Sequence, residues 1–271
     1  MSEKFLKKIL ITGGSLFAAL FCLLPLAVMI LMSLTEFPPT QWKMTLVNYQ
    51  HILQDPALHF FDYVKNSLWL AGTSATAGVL IASLAAYALT RFQLPGRTAV
   101  LWIALIASMF PPVSLVTYLF KIMAKLQWIN TFPALLLPYI AWSLPLTLWI
   151  LVSYFSQIPK DLDQAASIDG CSKLQTLRKV IFPVALPGMF SAGLLGFLFA
   201  FNEFLFALIL TTDHQARPIS VGIALFQGLY GQIPWGDLMA ASCLVTLPLM
   251  VLVVLCQRFI IQGLTSGGIK E

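Results

Sequence analysis

Gln164-Ala165-Ala166-Ser167-Ile168-Asp169-Gly170-Cys171, continued through Ser172-Lys173-Leu174-Gln175 to Phe182-Pro183 and Leu186-Pro187, is a polar stretch inside an otherwise apolar chain. Between Gln157 and Phe182 the charged side chains of Lys160, Asp161, Asp163, Asp169, Lys173, Arg178 and Lys179 are too dense to enter hydrocarbon. The stretch must therefore stand outside a bilayer. Pro159 suits a helix start, Gly170 a left-handed helix stop, and Ser172 with Gln175 a capping box, so the pattern predicts helix, turn, helix. The second helix would carry Leu174, Leu177, Val180 and Ile181 on one apolar face and end at Pro183. An exposed amphipathic hairpin of this kind suits insertion into a groove on another protein.

Outward from the hairpin the chain is greasy. Of its 271 residues 59% are hydrophobic and 10% charged, and the mean hydropathy is +0.85. This excludes an ordinary soluble domain and implies an all-α membrane protein. Apolar runs at roughly Ile9–Leu34, Asn66–Thr90, Thr98–Phe120, Thr131–Phe155, Leu186–Leu210 and Leu238–Cys256 predict six transmembrane helices in a single transmembrane domain, residues 1–271, with the hairpin of residues 157–187 projecting from it. The first run follows Lys4, Lys7 and Lys8 like a signal peptide. It is too long and lacks an A-x-A cleavage site, and Phe21 before Cys22 argues against a lipoprotein, so it is kept as a span. Placing the N-terminus in the cytoplasm puts 11 of the 16 Lys and Arg residues inside, Arg91 and the hairpin's cations among them. Both termini are then cytoplasmic. The pI of about 9.1 is accounted for by this asymmetry and implies no nucleic-acid partner.

Small residues mark the packing faces. Ala71, Ala75, Gly78, Ala82 and Ala85 line one face of the second span, and Gly188, Ala192, Gly196 and Ala200 one face of the fifth, as expected where helices associate in lipid by close backbone approach. Pro133, Pro138 and Pro145 predict a kinked or partly unwound fourth span of the kind found beside transport paths. Outside the bilayer, a short helix is expected near Val47–Leu53. The stretch from Thr212 to Asp237 is apolar enough to lie on the membrane or dip into the bundle.

Enzyme chemistry finds no support. There is no G-x-x-x-x-G-K-[ST] run and no Gly-Lys pair, so the chain cannot cradle ATP, and there is no G-x-S-x-G. Cys22, Cys171, Cys243 and Cys256 lack C-x-x-C spacing, and His51, His59 and His214 lack H-E-x-x-H spacing. No catalytic residue, metal site or bound cofactor is expected.

The run Gln164 to Gly170, with Phe182-Pro183 and Leu186-Pro187, resembles the E-A-A…G loop of binding-protein-dependent ABC importer permeases. It departs at Gln164, where Glu is usual, and at Cys171 and Leu177, where Ala and an aromatic are usual. Asn202-Glu203-Phe204 resembles a signature of the carbohydrate-importer branch, and Gln257 to Gly268 is similar to the tail of its maltose-type (MalG-like) subunits. The resemblance covers essentially the whole chain. It implies the type I importer permease fold in a bacterial inner membrane. It also implies a complex with a homologous second permease, two ATPase subunits that use ATP and Mg, and an external solute-binding protein, moving a sugar or sugar-like solute by alternating access. By the same resemblance, Gln164, Ala165, Ala166, Ser167, Asp169, Gly170, Leu174, Leu177, Arg178, Pro183 and Pro187 couple to the ATPase. Gln262, Gly263, Thr265 and Gly267 in the tail contact it too.

Glu203 is the acidic residue that falls inside the bilayer, where an ionised side chain costs about 2.5–3.5 kcal/mol on insertion scales. With Phe199, Asn202 and Phe206 at helical spacing it forms an expected substrate-path face, hydrogen-bonding groups set between aromatic rings. An interhelical polar clamp that holds the permease pair together explains it equally well. The alternative function is a proton-coupled secondary transporter with Glu203 as relay.

Overall fold

The computed structural model describes residues 3–35, 44–226 and 233–265; among these, all regular structure is helical, with one isolated bridge between Thr35 and Met44. Five stretches are long and apolar enough to cross a membrane: Leu10–Ser33, Pro56–Arg91, Phe132–Gln157, Lys173–Phe201 and Trp235–Phe259. α4 (Arg97–Ser108) and α5 (Val113–Lys125), bent by 91° at a short break, are together long and apolar enough for a sixth. The protein is thus an all-α, multi-pass membrane protein.

That bend corrects the expectation of one straight third span. Met109-Phe110-Pro111-Pro112 separates the halves, and consecutive prolines both remove amide donors and drive the preceding residue away from helical geometry. The fourth span departs in the other direction: α6 (Phe132–Gln157) stays helical through Pro138 and Pro145 and is not unwound. Its packing on α4 and on α9 (Phe182–Phe201) holds it together.

The chain divides into two compact units, Met1–Phe61 with Ile223–Met250 and Asp62–Gly222 with Val251–Glu271. The first holds α1 (Glu3–Ser33), α2 (Val47–Gln54) and the first part of α12 (Trp235–Thr265). The short external helix forms as expected. Its Asn48 Nδ2 donates to the carbonyls of Ser33 and Thr35, 2.9 Å each, and so pins α2 to the end of α1. His51 Nδ1 lies 2.8 Å from Asp237 Oδ2, so this histidine has a structural partner.

The second unit contains α3 (Phe60–Arg91, from Asp62), α4 to α6, the hairpin helices α7 (Asp161–Ile168) and α8 (Lys173–Thr176), then α9, α10 (Leu205–Leu210), most of α11 (Ile219–Ala224) and the end of α12. The two small-residue faces meet. Ala71, Ala75 and Ala82 are buried, as are Ala192 and Ala200, and a Cβ on Gly196 would touch Ala75 at 3.8 Å. Toward the hairpin, Gly188 lies under the Tyr154 ring with no room for a side chain. Gly188→Ala is expected to cost about 1–3 kcal/mol by overpacking, seen as a lower unfolding temperature in detergent, and Tyr154→Ala in the same chain should recover most of it.

Ile219 and Val221 of α11 are buried, so the start of this external stretch dips inward. In the tail, Gln262, Gly263 and Thr265 lie on the last turns of α12; their side chains, and Gly267 altogether, lie outside the described residues.

Candidate functional site

The hairpin is built from local chemistry. Gly170 takes φ +81°, and the chain closes α7 with Gly170 N–H on the Ser167 carbonyl (3.2 Å) and Cys171 N–H on that of Ala166 (2.9 Å). This is the paired bonding of a Schellman stop, which needs a left-handed residue at the glycine position. The capping box then opens α8: Ser172 N–H donates to Gln175 Oε1 at 2.8 Å and Gln175 N–H to Ser172 Oγ at 3.4 Å.

The second half of the hairpin differs from expectation. Pro183 does not end a helix. The chain widens into a π-helical turn over Leu177–Ile181 and continues unbroken as α9, with Pro183 in its first turn and Pro187 inside it. The wide turn relieves the clash between the Pro183 ring and the preceding turn that would break a regular helix. Leu177 and Ile181 are buried in the apolar cluster with Phe155 and Leu151 and face inward, not toward a partner. Ala166 is buried as well, whereas Gln164, Ala165, Ser167, Asp169, Leu174 and Arg178 are exposed. Around the turn the apolar side chains most open to solvent are Leu174, 70% exposed, and Ile168, 86% exposed; the sequence pattern does not single out Ile168.

The predicted substrate-path face is divided. α9 stops at Phe201, α10 restarts at Leu205, and Asn202-Glu203-Phe204 is the break. Asn202 Nδ2 turns back to the Leu198 carbonyl (2.8 Å), the local competition that ends helices. The Glu203 carboxylate accepts the N–H groups of Phe206 (2.8 Å) and Ala207 (3.1 Å), and the Glu203 carbonyl accepts Ser220 Oγ (2.6 Å). Glu203 thus caps the restarting helix and pairs donors that would be costly if left buried without an acceptor. Phe199 and Asn202 remain partly open, but Phe206 is buried on the other side of the break, its ring edge-to-face with Trp142 at 5.9 Å. Phe206 and Trp142 wall a cavity of about 550 Å³ together with Pro138, Pro145, Phe110 and Ser108. The prolines of α6 therefore line a cavity without unwinding their helix.

At the opposite end, Asn130 ties the α5–α6 turn to the segment after α10. It takes φ +61°, its Oδ1 accepts Thr212 N–H (3.0 Å) and Asp213 N–H (3.2 Å), and its Nδ2 donates to Asp213 Oδ1 (2.8 Å). These bonds, the one from Asn130 first and that from Gln215 N–H next, hold the Asp213 carboxyl below its usual range. A depressed carboxyl stabilises the fold above its ordinary titration range and stops doing so as pH falls through the depressed one. The unfolding temperatures of wild type and Asp213→Asn should accordingly converge on acidification.

Comparison with known proteins agrees with this geometry. The family model of the binding-protein-dependent transport system inner membrane component matches residues 77–266. The trehalose/maltose transport system permease protein MalG of Thermococcus litoralis is 51% identical over 276 residues, covering 100% of this chain and 99% of that protein. The sulfoquinovosyl glycerol transport system permease protein SmoH of Agrobacterium fabrum is 42% identical over 226 residues, 83% of this chain and 78% of that one. The fold matches a chain in the crystal structure of a bacterial ABC transporter that imports the acidic polysaccharide alginate, with a TM-score of 0.79 at 19% identity, over 95% of this chain and 98% of that one. Because the family match runs through the hairpin, the Asn-Glu break and the last helix together, the chain belongs to the binding-protein-dependent transport system inner membrane components.

Proposed function

We propose that this permease passes a sugar or sugar-like solute across the bacterial inner membrane, as one of two homologous permeases served by two ATPase subunits and an external solute-binding protein. ATP and Mg are used by the ATPases. The observation that carries this is the hairpin: a well-capped elbow that exposes Leu174 and Ile168 around its turn while Leu177 and Ile181 are committed to its own bundle. Such a pair of anchors on a short helical elbow fits a groove on a second protein. The sugar class rests on what the relatives carry and on the aromatic-walled cavity at Phe206 and Trp142, whose size lies within the range of small-molecule sites.

The two backbone donors held by the Glu203 carboxylate favour a capping role over proton coupling. The test is purification in mild detergent followed by reconstitution into liposomes with the co-purifying subunits. ATP-dependent uptake of a disaccharide that survives a protonophore supports the proposal. Uptake that collapses with the protonophore and needs no ATPase overturns it.

A further inference from the structure

Arg91 ends α3 beside the hairpin, and its guanidinium is only 7% exposed. Its Nε lies 2.9 Å from Asp163 Oδ2 in the first turn of α7, and its Nη2 donates to the Ile158 carbonyl at the C-cap of α6 (3.0 Å). Tyr87, one turn back on α3, donates its hydroxyl to the other carboxylate oxygen, Asp163 Oδ1, at 3.2 Å. Three elements are thus joined by one cation and one carboxylate that is itself 13% exposed. The charges suit their positions, with an acid at the start of α7 and a cation on the last carbonyl of α6.

Around this junction the contacts are apolar: Ala86 and Leu89 of α3, Phe155 of α6 and Ile181 beyond α8 belong to one buried cluster. Apolar packing is non-directional and lets helices shear past one another. The Arg91–Asp163 contact is an ion pair, and a mostly buried one cannot separate without a large desolvation cost. A push on α7 is therefore resisted by sliding surfaces at most points and by a fixed linkage at this one.

We propose that Arg91, with Asp163 and Tyr87, is a positioning lock that makes α3 and the end of α6 follow any displacement of the hairpin. The proposal rests on the importer function given above and deepens it. None of the three residues touches the hairpin's exposed outer face, so the lock works inside the permease. What it transmits to is the seam at Ala75 and Gly196, through the continuous helix α3.

The experiment uses the whole complex in liposomes, with its ATPase and binding protein, and reads solute moved per ATP hydrolysed. Arg91→Gln and Asp163→Asn are expected to co-purify with the ATPase in wild-type proportion and hydrolyse ATP, yet to move about tenfold less solute per ATP, the scale of an ordinary coupling free energy between sites. Arg91→Lys, which keeps the charge but cannot pair with Asp163 and reach the Ile158 carbonyl with separate nitrogens, should fall between. Should the single variants fail to assemble, the neutral pair Arg91→Met with Asp163→Leu leaves no orphaned charge, so it should assemble and still be uncoupled. A purely structural role would lower the amount of complex and leave the ratio at its wild-type value, which overturns the lock. A wild-type complex whose uptake does not follow ATP hydrolysis would instead remove the importer function, whatever the variants do.

Discussion

Replacing Gly170 by leucine is expected to reduce uptake to background while the protein still inserts, folds and accumulates. Gly170 sits at φ +81°, and a Cβ placed on it would meet no other atom within 4 Å, so the permease itself has room for a larger residue. The internal cost is conformational, about 1–2 kcal/mol for an L-residue in the left-handed region, far too little to unfold a multi-pass bundle. That strain falls on the Schellman stop that aims α8, and the leucine side chain projects from the surface proposed to enter the ATPase. Gly170→Asn separates the two effects, because asparagine tolerates the left-handed region at lower cost. It should restore the turn and part of the uptake. Uptake, ATP hydrolysis and co-purification of the ATPase are measured together. Normal uptake by the leucine variant would remove the hairpin from the coupling path.

The hairpin's turn chemistry is legible in the sequence because it is local: Gly170 and the Ser172–Gln175 box act within a few residues, and the structure repeats them bond for bond. The small-residue seams are legible for a related reason, since a face without bulk has few uses in lipid other than packing. The orientation of the second hairpin helix is not. Leu177 and Ile181 lie on an apolar face, and nothing in a periodicity tells whether that face meets the chain's own core or another protein. Pro183 reads as a helix stop, yet a π-turn lets a proline follow helical residues, a device set by the packing of Leu177 and Ile181 and invisible in the proline itself. The break at Asn202 is hidden inside an apolar run, where hydropathy reads a continuous span. Arg91 and Asp163 are far apart in the chain, and by sequence Arg91 is only one of many flanking cations.

Glu203→Ala and Glu203→Gln should part company, and the difference decides what this carboxylate does. In the structure its two oxygens take the N–H groups of Phe206 and Ala207 where α10 restarts. Alanine leaves both donors without an acceptor in a region of low dielectric, at about 1–3 kcal/mol each, and frees the break at Asn202 to shift. Because α10 packs on α5 and α6 and Phe206 and Trp142 wall the cavity, Glu203→Ala is expected both to melt at a lower temperature and to lose most uptake. Glutamine keeps a side-chain oxygen at the same reach and cannot release or carry a proton near neutral pH. It therefore retains the better part of the cap, and with it most of the stability and transport. A proton relay requires a different outcome, in which glutamine abolishes transport as completely as alanine while the fold is intact. Thermal unfolding in detergent and solute uptake in liposomes, run side by side on both variants, distinguish a helix cap from a titrating group without reference to any relative.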